Sequence, residues 1–129
     1  MPEALSTWAV RLGLGVAGGL TAVVALIAHR HSLTVGPVLV PWASVLAIAT
    51  TYVVARAAGV VGGAGGAIAY GIGWTLMLLL TYQPRAEGDY LIAADVRGYG
   101  FLIGGLGVLG LAIVQAVSRS ARESPNLTK

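Results

Sequence analysis

The sequence predicts an all-α integral membrane protein, a single domain in which four transmembrane helices form a bundle with glycine-rich helix packing. Of its 129 residues, 57% are hydrophobic and only 10% are charged, whereas soluble domains carry about 25% charged residues. The apolar residues form four runs, each close to the roughly 20 residues that cross a bilayer core as a helix. The chain also contains 19 glycines, which allow helices to approach closely in lipid.

The first predicted span covers residues 8–28. Its one charged residue, Arg11, lies near enough to the end for the guanidinium to reach the headgroups. A cleaved signal peptide is the alternative, but the apolar run is too long for one, and Leu26 stands where cleavage requires a small residue. The cluster His29, Arg30 and His31 follows, and we expect it to end the helix.

The second and third predicted spans, residues 38–56 and 60–82, form a helical hairpin. Glycine and proline interrupt the chain before them, so the second helix begins either near Val38 or at Pro41, where a proline in the first turn loses no hydrogen bond. Without a break, the two spans would form one very long helix. Arg56 and the small residues after it supply that break.

The fourth predicted span covers residues 99–117. The one extended polar stretch, residues 83–98, precedes it and is the predicted external loop. Residues 118–129 follow the span, and we expect them to form a mobile cytoplasmic tail.

Basic residues predict the orientation, because cytoplasmic loops carry more lysine and arginine than external loops. On one side lie Arg11, Arg56, Arg119, Arg122 and Lys129, and on the other lie Arg30, Arg85 and Arg97. We therefore expect a multi-pass protein of the plasma membrane with both termini in the cytoplasm. In this setting the net charge of +3 indicates orientation and not binding to nucleic acid.

Glycines four residues apart share one face of a helix, and such faces are typical of close helix packing in lipid. The pairs are Gly15 and Gly19 in the first span, Gly59 and Gly63 or Gly62 and Gly66 at the start of the third, and Gly100 and Gly104 in the fourth. Packing inside one protomer is the favoured interpretation. Packing between copies, or against another subunit, stays open.

The sequence predicts no cofactor, metal or catalytic residue. Residues 13–18 have the spacing of a dinucleotide-binding motif, but no strand precedes them and no acidic residue follows at the required distance. His29 and His31 could bind a metal with an external acid, but residues two apart do not share a helix face. We favour an interfacial cap that carries a pH-sensitive charge.

The external loop concentrates charges of both signs, as expected for a docking surface. These charges are Arg85, Glu87, Asp89, Asp95 and Arg97. The simpler interpretation is that Asp95 caps the fourth helix, while the two arginines pair with Glu87 or Asp89 at the surface. We favour the simpler interpretation.

The loop sequence at residues 85–90, with its continuation at residues 95–100, resembles an uncharacterised family of small actinobacterial membrane proteins with four helices. The rest of the likeness lies in the layout of the apolar segments. The resemblance implies a fold and an inner-membrane setting, and no activity.

The polarity of the spans separates the functions that remain. Proton-coupled carriers place ionisable groups in the middle of the membrane, and the third and fourth spans contain none. No arrangement of serine, histidine and acid is typical of a catalytic triad, so an enzyme is not expected. The sequence favours a non-catalytic accessory or assembly subunit that contacts the lipid bilayer and another membrane protein, or copies of itself. A small homo-oligomeric channel or transporter subunit is the alternative.

Overall fold

The computed structural model describes residues 2–82 and 95–124, which form three long helices and one short β-hairpin. Helix α1 spans Pro2–Ala28, α2 spans Trp42–Thr81 and α3 spans Val96–Glu123. Each helix is long and apolar enough to cross a membrane. The described residues thus form an all-α bundle of three helices, and the prediction of four separate helices is wrong in its count.

The second and third predicted spans both lie within α2, which changes direction at Gly63. Forty residues in one straight helix would extend about 60 Å, twice the thickness of a bilayer core. Gly63, however, has φ 61° and ψ −157°, a backbone conformation open essentially to glycine alone. We call residues 42–62 the first arm of α2 and residues 64–81 its second arm.

The two arms lie side by side. A Cβ atom placed on Gly66 would lie 2.5 Å from the carbonyl oxygen of Ala58, whereas residues eight apart in a straight helix are separated by about 12 Å. The reversal therefore falls at Gly63, and the predicted break between Arg56 and Gly59 is misplaced. Arg56 lies within the first arm, where its guanidinium donates a hydrogen bond to Gln115 of α3.

Helices α1 and α3 are longer than the predicted spans. Helix α1 begins at Pro2 instead of residue 8, and α3 covers residues 96–123 instead of 99–117. Residues 118–123 of the predicted tail are therefore helical. The hydroxyls of Ser120 and Ser124 bond to backbone carbonyls one turn earlier. Hydropathy identifies the apolar part of a helix and misses polar turns beyond it. Residues 125–129 lie outside the described residues.

A two-stranded antiparallel hairpin replaces the predicted linker between the first and second spans. Strands β1, Leu33–Val35, and β2, Val38–Val40, pair so that Leu33 faces Val40. Gly36, at φ 61°, takes the first position of the two-residue turn, where a type II′ turn requires glycine. The helix therefore begins at Trp42 with Pro41 at its N-cap, and not near Val38.

Both chain ends of the described bundle lie at the Gly63 end. Near Gly63 the side chain of Arg11 covers Gly65, and the hydroxyl of Ser120 approaches Gly63 itself. At the opposite, hairpin end, the ring of His29 stacks on Phe101 with a centroid separation of 4.8 Å. Helix α1 and the second arm thus run in one direction, and the first arm and α3 run in the other.

The bundle core is built from a few large side chains set among alanines and glycines. Trp74, Tyr70 and Phe101 are fully buried, and Trp74 lies 6.0 Å from Phe101 between ring centroids. Large aliphatic side chains point outward along every helix, as expected where the surroundings are lipid. The apolar surface therefore suggests contact with the bilayer.

Candidate functional site

The glycines of α1 bring that helix against the second arm of α2. A Cβ on Gly15 would lie 3.4 Å from the carbonyl oxygen of Ala69, and one on Gly19 would lie 3.6 Å from the methyl group of Met77. Gly18 and Gly73, which the spacing analysis did not select, permit the closest approach. A Cβ on Gly18 would overlap the backbone of Tyr70, and one on Gly73 would overlap the backbone of Gly15.

Most of the other predicted packing glycines also face inward. A Cβ on Gly62 or on Gly66 would lie 2.9 Å from Leu14, and one on Gly104 would lie 2.5 Å from Ile48. Gly59 lies against α3, where its Cβ would be 3.0 Å from that of Ala116. Gly63 forms the reversal of α2 instead of a packing face.

Gly100 does not pack within the described bundle, and it belongs to an open surface on α3. Among residues 2–82 and 95–124, nothing lies within 4 Å of a Cβ added at Gly100, Gly107 or Gly110. Ile103 and Val114 lie on the same side of the helix as these glycines and are 72% and 61% exposed. The residues are spaced three and four apart and therefore share one side of the helix. We call this surface, Gly100, Ile103, Gly107, Gly110 and Val114, the outer face of α3.

The outer face lies opposite the side of α3 that packs in the bundle. The buried residues of α3 are Gly98, Phe101, Gly105, Leu109, Ala112 and Ala116. Each open glycine lowers the stability of the helix by about 1 kcal/mol relative to alanine. Contact between a glycine and lipid does not compensate for this loss. A second helix does gain, because it can approach the backbone closely at such positions.

A polar pocket of about 180 Å³ lies at the hairpin end and is lined by His29, Arg30, Asp95 and Arg97. Asp95 caps α3 by accepting a hydrogen bond of 2.8 Å from the backbone N–H of Gly98, which confirms the capping interpretation. The guanidinium of Arg97 lies 3.3 Å from the hydroxyl of Ser32. The pocket thus joins the start of α3 to the end of α1.

The remaining residues of the predicted docking loop, Arg85, Glu87 and Asp89, lie outside the described residues. The structure brings Asp95 and Arg97 to the same pocket, where Asp95 bonds to Gly98 and Arg97 bonds to Ser32. The docking role of the loop stays a prediction.

His29 and His31 lie in different environments. His29 is 2% exposed, and its Nδ1 lies 2.7 Å from the carbonyl oxygen of Leu26, so the ring caps the last turn of α1. His31 is exposed in the turn that follows. Within residues 2–82 and 95–124, no three histidine, cysteine, aspartate or glutamate residues are grouped so that they could hold a metal ion.

A polar network that the sequence analysis missed links the first arm of α2 to α3. The amide oxygen of Gln115 accepts hydrogen bonds from the hydroxyl of Tyr52 and from the guanidinium of Arg56. Arg119 donates from Nε to the backbone carbonyl of Gln115. Gln115 is the one amide side chain in the predicted fourth span. A single polar residue among apolar ones could have indicated a hydrogen bond between helices.

These features define the class of protein. Three apolar helices of membrane-spanning length, with aliphatic side chains exposed along each of them, indicate a multi-pass integral membrane protein. No protein-family model, curated protein or solved structure matches the chain. The resemblance to the actinobacterial family rests on the loop sequence and the layout of the apolar segments, and it stays a prediction.

Proposed function

We propose that the protein is a non-catalytic accessory or assembly subunit, which binds a transmembrane helix of another membrane protein through the outer face of α3. The observation that carries the proposal is the set of three open glycines, Gly100, Gly107 and Gly110, on the side of α3 that faces away from the bundle. Small residues are enriched where helices associate in membranes because they permit close backbone contact.

The interior of the described bundle supports an assembly role over transport by a single copy. Its centre is filled by Tyr70, Trp74 and Phe101, none of which exposes surface. Gln115 and Arg56, which lie between α3 and the first arm of α2, bond to each other. In the described residues, this packing leaves the surface of the bundle as the place where function is expected.

The proposal includes the orientation in the plasma membrane. Arg11, Arg56, Arg119 and Arg122 lie toward the Gly63 end, and Arg30 and Arg97 lie toward the hairpin end. Because arginine is enriched on the cytoplasmic side, we place the Gly63 end, with both chain ends, in the cytoplasm. The proposed inner-membrane setting agrees with the actinobacterial resemblance.

The test is purification of the tagged full-length protein from its native membrane in mild detergent, followed by mass measurement and identification of co-purified proteins. The wild-type chain is compared with Gly107→Leu, which would place a bulky side chain on the outer face of α3. Gly13→Leu is the matched control, because Gly13 is equally open on α1. Both substitutions favour helix formation, so both variants should fold.

We expect a different membrane protein to co-purify with the wild-type chain and with Gly13→Leu. Recovery of that partner should fall by about tenfold in Gly107→Leu, which corresponds to the loss of one well-packed contact region. Equal recovery from both variants would contradict a docking role for this face. Isolation of a pure homo-oligomer would instead favour the alternative of a small channel or transporter subunit.

A further inference from the structure

A long apolar groove runs along the outside of the bundle between α1 and the second arm of α2. Its volume is about 650 Å³, within the range of sites that hold small ligands. The floor is formed by Gly15 and Gly73, where the two helix backbones touch. Leu12 and Val16 form one wall, and Ile72 and Leu76 form the other.

The groove has the length of a lipid tail. It extends along the second arm from Gly65 to Leu80, which at about 1.5 Å per residue is roughly 22 Å. One leaflet of the hydrocarbon core is about 15 Å thick. An acyl chain that enters from the leaflet at the Gly63 end therefore fits within the groove along its full depth.

Arg11 places a positive charge at the end of the groove near Gly63. Its guanidinium lies across Gly65, where a Cβ atom would come within 2.8 Å of Nε, and 5.8 Å from the ring centroid of Trp8. Nε is buried and has no hydrogen-bond partner among the described residues. The absence of a side chain at Gly65 thus leaves room for a cation at the mouth of an apolar groove.

The chain itself offers little to neutralise this charge at that depth. Glu3 precedes Arg11 by eight residues, a distance of about 12 Å along α1. No acidic residue occurs between positions 4 and 86. Arginine binds phosphate oxygens through charge-assisted hydrogen bonds. A lipid phosphate is the anion that a bilayer presents at this boundary.

We propose that the groove between α1 and the second arm of α2 binds one anionic phospholipid, with its phosphate on Arg11 and an acyl chain against Gly15 and Gly73. The acyl chain fits the groove through contact with its apolar side chains. This contact provides little preference, because the tail leaves one apolar environment for another. Preference for an anionic headgroup therefore comes from Arg11. This site is separate from the outer face of α3.

The test is native mass spectrometry of the full-length protein after exchange into detergent that contains phosphatidylglycerol or phosphatidylcholine. We expect the wild-type chain to retain one phosphatidylglycerol, with about tenfold preference over phosphatidylcholine. Both lipids carry a phosphate, but the cationic choline group of phosphatidylcholine opposes the attraction between its phosphate and Arg11. Arg11→Gln should remove the preference. Arg122→Gln is the matched control, because Arg122 is exposed at the same end of the bundle and does not line the groove.

A second pair of variants tests the groove without changing charge. Val16→Trp fills the groove and should abolish retention of the lipid. Val45→Trp introduces the same side chain at a position that is equally exposed, 63% for each valine, and should retain it. Equal binding of both lipids, equal loss of preference in Arg122→Gln, or unchanged retention in Val16→Trp would each overturn the proposal. So would a dimer that Val16→Trp converts to monomer, because a second copy would then fill the groove.

Discussion

Gly63 determines the path of the chain through the membrane. Its ψ of −157° at a φ of 61° brings the Cβ of any other residue against its own backbone, which costs about 1–3 kcal/mol. Gly13, in contrast, sits within a regular helical turn in open space. Two glycines of one chain thus have different roles, one as a reversal and one as an unpacked helical position.

Replacement of these two glycines by alanine separates the roles. Gly63→Ala should lower the free energy of unfolding by about 1–3 kcal/mol, because alanine rarely adopts this backbone conformation. Gly13→Ala should leave stability unchanged or raise it by up to about 1 kcal/mol through helix propensity. Unfolding of purified protein in mixed micelles, titrated with a denaturing detergent, measures both. Equal stability of the two variants would show that the chain does not reverse at Gly63.

Helix α3 has two faces with different roles. One face packs inside the bundle through Phe101 and Gly105, and Gln115 extends it by bonding to the first arm of α2. On the outer face, a Cβ atom added at Gly100, Gly107 or Gly110 would meet nothing within 4 Å among the described residues. Because the same helix provides both, a change at Gln115 should affect the bundle, and a change at Gly107 should affect association.

The link between α3 and the first arm should depend on Gln115. In Gln115→Leu, Arg56 and Tyr52 lose their shared acceptor, and we expect the free energy of unfolding to fall by about 1.5–3 kcal/mol, the range for hydrogen bonds to charged groups. Val114→Leu is the control at the adjacent, exposed position. The same micelle titration measures both variants. If Gln115→Leu is as stable as the control, the network does not hold these helices together.

The described helices alternate in direction, so that Pro2 and Ser124, the first and last described residues, lie toward the Gly63 end and the β-hairpin lies at the other. This arrangement follows from contacts at each end, such as Arg11 with Gly65 and His29 with Phe101. The absence of cysteine from the chain makes the arrangement simple to test by labelling single introduced thiols.

Single cysteines at Ser6, Thr34 and Ser124 should report two sides of the membrane. All three positions are exposed, and Ser6 and Ser124 lie in the terminal segments, whereas Thr34 lies in β1. In intact cells, a membrane-impermeant thiol reagent should label Thr34→Cys and should leave the other two unlabelled until the membrane is opened. Labelling of Ser6→Cys and Thr34→Cys from the same side would contradict the alternating bundle, and labelling of only the terminal positions would invert the proposed orientation.

Composition and the length of the apolar runs were enough to predict a helical membrane protein, because the bilayer imposes both on any chain that crosses it. They also located Pro41 near a helix start and Asp95 at a helix cap, since both effects are local. The glycine spacing selected Gly15 and Gly19, which the structure places against α2.

Contacts between distant residues determined the rest. Spacing alone could not show that the chain reverses at Gly63 and not at Arg56, because the hydrogen-bond partner that accommodates the Arg56 guanidinium in the bundle is Gln115, 59 residues away. Nor could it show that Gly104 faces Ile48 while Gly100 faces outward. The period of a helix shows which residues share a face, and the positions of neighbouring helices decide which faces are covered.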